Sequence, residues 1–430
     1  MRASRSARCA AVGIALLCGA PASHAAPEPT GRDTAVAWFD GVVALVRDAG
    51  SSPVVAARTY GYTSVAFFET LVPWRPSLRS LSGQLNGLTP LPQPGLSLDS
   101  DPPAAAVAAS AEVARGLLGP GARGAIDGLE QALLAERYYR PGTTAAAIDR
   151  SVEHGRAVGR AVLEWASTDG YAAAVRCPYT PPVGAGLWVP TPPAFAPALE
   201  PCWGRLRPMA LADGATCQVE PPPPYSETPG SLFHQEGREV YDVTLNLTEE
   251  QLTIALFWAD NPGQTGTPAG HWMRIVGQLA VQEGFDIDRA AEAYARTGIA
   301  VNDAFINCWF TKYVYGLVRP VTYIRKLFDP GWTSPVGTPP FPEYTSGHST
   351  QSGATAAILT DMLGTVTFTD STHLEIGLAP RSFPSLERAA DEAGISRLYG
   401  GIHYRAAIDV GLEQGRCVSA RVLERVRFRQ

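Results

Sequence analysis

Beyond its first 25 residues, the 430-residue chain has no uninterrupted apolar run of about 18 residues, the length a membrane-spanning helix needs. A soluble mature chain is therefore expected. Basic excess is missing too: 35 Lys and Arg stand against 41 Asp and Glu, a formal net charge of -6. That balance offers no broad positive field to nucleic acid or an anionic membrane. Neither Cys-x-x-Cys nor a Cys/His ligand spacing occurs, which argues against a zinc site. Period-two alternation is scarce, so a sizeable sheet is not expected, and no tandem repeat stands out. What remains is ordinary globular composition, 45% hydrophobic and 18% charged, in a length that suits one large or two ordinary domains.

The N-terminus reads as a secretory signal. Arg2, Arg5 and Arg8 precede a short apolar segment from Cys9, and Ser23-His24-Ala25 is a small-residue cleavage site. Residues 1–25 are thus expected to be removed on export, to a periplasmic or secreted location. Two of the seven cysteines, Cys9 and Cys18, fall in that leader; Cys177, Cys202, Cys217, Cys308 and Cys417 remain. Disulfides persist in an oxidising compartment. Cys202 and Cys217 share one Pro-rich segment, and pairing them would staple it. Cys308 and Cys417 lie inside helical patterns and read as buried free thiols.

Helical apolar spacing dominates the rest. It covers 35–46, 104–118, 122–136 and 144–167, then 251–259, 270–282, 287–318, 350–363 and 403–425. Thr248-Glu249-Glu250-Gln251 is a capping box. Between the two sets, residues 177–230 are dense in Pro, Gly and Trp, too long and too apolar for a floppy linker. The expected architecture is all-α: a helical region at 26–176, a Pro-rich packed loop at 177–230 and a helical bundle at 231–430.

Chemical content concentrates in three short segments of that last bundle. Lys312 and Arg319 are seven residues apart on a helical pattern, which puts them on one face about 10 Å apart along the axis. Pro320 then ends or kinks the helix. Ser346-Gly347-His348 precedes an Ala-rich helix: Ser346 is a natural N-cap, and Gly347 permits close backbone approach. A helix start with free N–H groups is a ready anion site, and His348 could shuttle a proton there. Ser396-Arg397 and His403 flank Gly400-Gly401; an arginine grips two oxygens at once. Converging, these segments would form one phosphate-sized oxyanion pocket. Other residues invite weaker readings. Asp260 and Asp303 are candidate partners for a pocket arginine, Asp260 for Arg397. His271 reads as structural, and His154, His234 and His373 receive no role.

The pattern Lys-x6-Arg-Pro, Ser-Gly-His and Ser-Arg-x5-His resembles the superfamily that unites vanadium-dependent haloperoxidases, type 2 phosphatidic acid phosphatases and bacterial acid phosphatases. Cys308-Trp309 and Arg319-Pro320-Val321-Thr322 are similar to its soluble, exported haloperoxidase-like branch. The resemblance implies vanadate as cofactor, bonded axially by His403. It implies that Lys312, Arg319, Arg397, the Ser346 hydroxyl and the Gly347 N–H hold the other oxygens, with His348 as acid–base residue. Lys312 would polarise bound peroxide, and Trp309 and Phe341 would wall a halide pocket. Expected substrates are hydrogen peroxide and a halide. The same pocket without vanadate would serve an acid phosphatase, with His403 as the phosphate-accepting nucleophile, or bind an oxyanion without catalysis. Two departures stand out: Thr345 replaces the common Pro, and Ala407 replaces the Asp that usually orients the last histidine. Asp409, six residues past His403, is rotated about 600° and lies off its face. Glu413 is also displaced, and Glu343 near the helix start would repel a halide if it pointed inward.

Overall fold

A computed structural model describes residues 31–95, 99–140 and 142–430. The expected signal segment lies outside the described residues. Among them no helix is long and apolar enough to cross a membrane.

The N-terminal region consists of α1 (Gly31–Asp48), α2 (Pro53–Leu71), α3 (Pro102–Leu118), α4 (Arg123–Tyr138), α5 (Ala145–Ser167) and the short α6 (Tyr171–Ala174). After the Pro-rich segment come α7 (Leu232–Leu245), α8 (Glu249–Phe257), α9 (Thr267–Gln282), α10 (Ile287–Tyr315), α11 (Pro320–Leu327), α12 (Gly347–Leu363), α13 (Leu386–Tyr399) and α14 (Arg405–Arg425). One small antiparallel pair, β1 (Phe368–Asp370) with β2 (Arg381–Phe383), is in register Thr369 opposite Ser382. The all-α expectation holds.

Helix α10 is the axle. It packs on α2, α1 and α9 on one side and on α12 and α14 on the other. The hydrophobic core is accordingly continuous across the two helical regions: Trp38, Phe67 and Val162 belong to the same cluster as Phe305, Leu359 and Val422. Helix α2 escapes pattern reading because every residue except Pro53 and Val55 is buried; without a polar face there is no amphipathic signal to detect. The capping box forms as expected, Thr248 accepting from the Gln251 amide while the Gln251 side chain accepts from Thr248.

Residues 177–230 are a packed loop. The Trp188 amide donates to the Gly316 carbonyl at 2.7 Å and the Leu199 amide to Pro340 at 2.9 Å. Three successive amides, Met209, Ala210 and Leu211, converge on the buried Asp303 carboxylate at 2.7, 2.8 and 2.9 Å. Asp303 thus anchors this loop and does not pair with a pocket arginine. The disulfides also differ from expectation. Cys177 pairs with Cys202, and Cys217 reaches across 200 positions to Cys417; only Cys308 is free among the described residues. Spacing favours near neighbours, but here the loop folds back over α14.

Candidate active site

The helical pattern through 318 breaks where the site begins. Gly316 takes the left-handed conformation, φ 57° and ψ 32°, and caps α10. Its N–H bonds the Lys312 carbonyl at 2.8 Å, a helix end that glycine adopts without strain. Arg319 is then the extended N-cap of α11, with Pro320 in the first turn. Lys312 and Arg319 therefore sit on two helices, not one face of one helix. Ser346 caps α12 as expected, its hydroxyl accepting from the Ser349 amide, which leaves the hydroxyl proton free to donate. Arg397 lies in the last turn of α13, and His403 comes just before Tyr404, the N-cap of α14.

These segments do converge. A cavity of about 300 Å³ is lined by residues that include Asp260, Trp309, Phe341, His348, Arg397 and His403, with the Gly347 backbone. Trp309 and Phe341 pack with centroids 4.8 Å apart and form an apolar wall. Arg319 stacks over Phe341, its guanidinium carbon 4.8 Å from the ring centre. Its Nε donates to the Phe341 carbonyl and its Nη1 to Ile402, both at 2.8 Å. The same Nη1 lies 3.3 Å from His403 Nε2. Arg397 donates from Nε to Ser396 Oγ at 2.9 Å and from Nη2 to the Ala255 carbonyl at 3.0 Å.

Lys312 stands beside the cavity rather than in it. Its ammonium donates to the carbonyls of Pro342 at 3.1 Å, Glu343 at 2.9 Å and Thr345. An ammonium has three protons, so this cage engages all of them. The lysine pins the strand of chain that delivers Ser346, Gly347 and His348, and adds positive field. Direct contact with a bound anion, as the resemblance implies, requires one of these bonds to be given up.

Electrostatically the site is a buried cationic surplus. Burial lowers Lys312 to about 7, and Arg319 and Arg397 to about 10 each. Burial raises Glu343 to about 8, against the pull of Arg319 and Lys312. His348 and His403 are both held well below the ordinary histidine value, by burial first and then by neighbouring arginines. Both are neutral imidazoles with lone pairs to offer. The Trp258 backbone opposes that drop at His348, whose Nε2 has no hydrogen-bond partner among the described residues. Arg319 Nη2 is likewise buried and unpartnered. A tetrahedral oxyanion fits this donor set: it supplies an acceptor to the orphaned guanidinium nitrogen, whose unsatisfied burial is otherwise costly, and it neutralises the surplus charge.

Sequence reading missed the contact that completes the site. Glu343 does not face the halide wall; its Oε1 lies 2.7 Å from His403 Nδ1. The only hint was its place three residues before the Ser346 cap. Asp260 carries a second correction. It is the carboxylate nearest in effect to Arg397, but its Oδ2 bonds His271 Nδ1 at 2.9 Å, and its Oδ1 lies 3.1 Å from His373 Nε2 without a hydrogen bond. His271 also reaches Asp370 Oδ2 at 2.7 Å. His271 is thus structural, as expected, and His373 is buried beside it. The two histidines and Asp260 are close enough to hold a cation, but both His271 nitrogens are committed to carboxylates, which accounts for the cluster as hydrogen-bonded ion pairs.

The family described as the VCPO second helical-bundle domain matches residues 292–331 and 328–429. A solved bacterial vanadium-dependent iodoperoxidase aligns with a TM-score of 0.88 and 38% identity, over 93% of this chain and 97% of that one. A bacterial vanadium-dependent chloroperoxidase in its holo form aligns at 0.68 and 16% identity, over 88% and 96%, a likeness of fold alone. The vanadium chloroperoxidase of Curvularia inaequalis is 31% identical over 130 residues, 24% of this chain and only 21% of that protein's length. With an iodoperoxidase relative matched along nearly its whole length, the chain belongs to the vanadium-dependent haloperoxidase family.

Proposed function

We propose that the chain is a vanadate-dependent haloperoxidase that uses hydrogen peroxide to oxidise a halide to hypohalous acid. The observation that carries this reading is the pairing of a neutral His403, its Nε2 turned toward Arg319, with an arginine nitrogen that lacks an acceptor. His403 Nε2 would offer its lone pair to the vanadium. Arg319, Arg397, the Ser346 hydroxyl and the Gly347 N–H hold the oxygens of the anion, and Lys312 adds charge from behind the loop. Bound vanadate supplies a Lewis acid that keeps its oxidation state. His348 takes and returns protons at Nε2 on the cavity side. Trp309 and Phe341 exclude water from an arriving halide, which favours the weakly hydrated, polarisable ones. Iodide is the halide we put first, supported by the 38% identity to the iodoperoxidase.

A phosphomonoesterase with a phospho-histidine intermediate is the second reading. The Glu343–His403 contact favours it, since a carboxylate behind the ring is what such a nucleophile requires. Export of the chain is also proposed, supported by two disulfides that persist outside reducing compartments.

One assay separates the readings. Purified chain incubated with vanadate should gain peroxide-dependent iodination or bromination of a phenolic dye, and His403→Ala should lose it. Hydrolysis of p-nitrophenyl phosphate that vanadate only inhibits, with no halogenation, would establish the phosphatase instead.

A further inference from the structure

The position that normally supplies an orienting carboxylate is Ala407, which contributes only its carbonyl, accepting the Ser346 amide at 2.9 Å. Asp409 and Glu413 on the same helix are exposed. We infer that Glu343, from a different segment of the chain, is the positioning residue that fixes the ring of His403 and its tautomer.

The Arg319 contact decides the proton arrangement, and the Glu343 contact accommodates it. Glu343 Oε1 receives the Tyr404 backbone N–H at 2.9 Å and lies 2.7 Å from His403 Nδ1, placed to accept from it. On the opposite edge, His403 Nε2 faces Arg319 Nη1 at 3.3 Å. A guanidinium has no lone pair to give, so Nε2 is the acceptor there. The proton therefore resides on Nδ1, and the Nε2 lone pair faces Arg319 Nη1, from which a bound anion would have to take it over. The carboxylate is itself held fast. Glu343 is fully buried, its amide donates to the Leu317 carbonyl at 3.0 Å, and its own carbonyl is one of the three that Lys312 grips. The orienting group thus travels with the loop that carries Ser346, Gly347 and His348, instead of with the helix that follows His403. Both halves of the oxyanion site are set by one rigid piece of chain.

This inference rests on the proposed reading of His403 as the residue that would hold vanadate, and its test separates the two. Glu343→Gln keeps the size but offers Nδ1 and the Tyr404 N–H only one amide oxygen, a weaker acceptor than a carboxylate, and with the amide turned it sets a donor against both, which permits the wrong tautomer. Equilibrium dialysis of the full chain should show vanadate binding weakened about 10–100-fold in this variant. Nitrogen-15 NMR of histidine-labelled, vanadate-free chain, with His403 assigned by its loss in His403→Ala, should show a protonated Nδ1 and a bare Nε2. In Glu343→Gln the proton should shift toward Nε2. Vanadate affinity in a folded Glu343→Gln within about twofold of the unmodified chain overturns the inference; so does a proton on Nε2 in the unmodified chain, a measurement that needs no variant to fold. If the unmodified chain shows the Nδ1 proton yet takes up no vanadate, the peroxidase reading fails and the positioning role survives.

Discussion

At the scale of single residues, Arg319 does three jobs with one planar group. It holds the carbonyls of Phe341 and Ile402 and leaves Nη2 for a ligand. A lysine is a point donor on a flexible stem and cannot span those positions at once. Arg319→Lys should weaken vanadate binding at least about tenfold and, by stranding a buried carbonyl, destabilise the fold by about 1–3 kcal/mol, measured by dialysis and by denaturant unfolding. His271 offers a pH test. Although burial opposes its charge, Asp260 and Asp370 hold it at about 10, above the ordinary 6.5. A base raised in the folded state stabilises fully below its unfolded value, and that contribution disappears as pH climbs through about 10. The melting temperature of the unmodified chain should therefore fall between pH 7 and 10, and that of His271→Gln should fall less. Lys312, Arg319, Ser346, Gly347, His348, Arg397 and His403 were legible because short local spacings name them. Glu343 was not: its partner lies 60 positions away, and nothing in a linear pattern encodes such a pairing.

At the scale of elements, exposure alone does not sort the helices: α12 is buried almost throughout yet was read, while α7 and α13 have wet faces and were missed. Helix α2, buried nearly all round, gave no periodic signal, and the α10–α11 break was hidden because apolar spacing runs on past Gly316 to Val318. Another feature invisible to periodicity is how closely α12 and α14 cross. A Cβ on Gly415 would stand 2.1 Å from the Thr350 carbonyl oxygen, and one on Gly353 would stand 2.5 Å from that of Leu412. Backbone meets backbone there, so no side chain can swing aside. Gly415→Ala should force the helices apart at a cost of about 1–3 kcal/mol. Since α12 begins at Ser346 and α14 follows His403, it should also loosen vanadate binding. A lowered denaturant midpoint without that second loss would show that the crossing does not transmit to the site.

For the molecule as a whole, helical class was readable from composition and spacing, whereas the continuity of the core was not, because it depends on α10 being shared by distant regions. The disulfides make the same point: proximity in sequence suggested Cys202 with Cys217, and the folded chain joins Cys217 to Cys417 instead. Closing so long a loop restricts the unfolded chain strongly, so Cys217→Ser with Cys417→Ser should lower stability by about 2–5 kcal/mol, as calorimetry would record. The same cysteine inventory matters for survival in use. An enzyme that discharges hypohalous acid is its own nearest target, and thiolate sulfur is among the fastest groups to be attacked. Four of the five cysteines in the described chain are already paired, and Cys308 is sealed beneath the Thr345 carbonyl with no exposed surface. The described surface therefore presents no thiol to the oxidant that the catalyst would release.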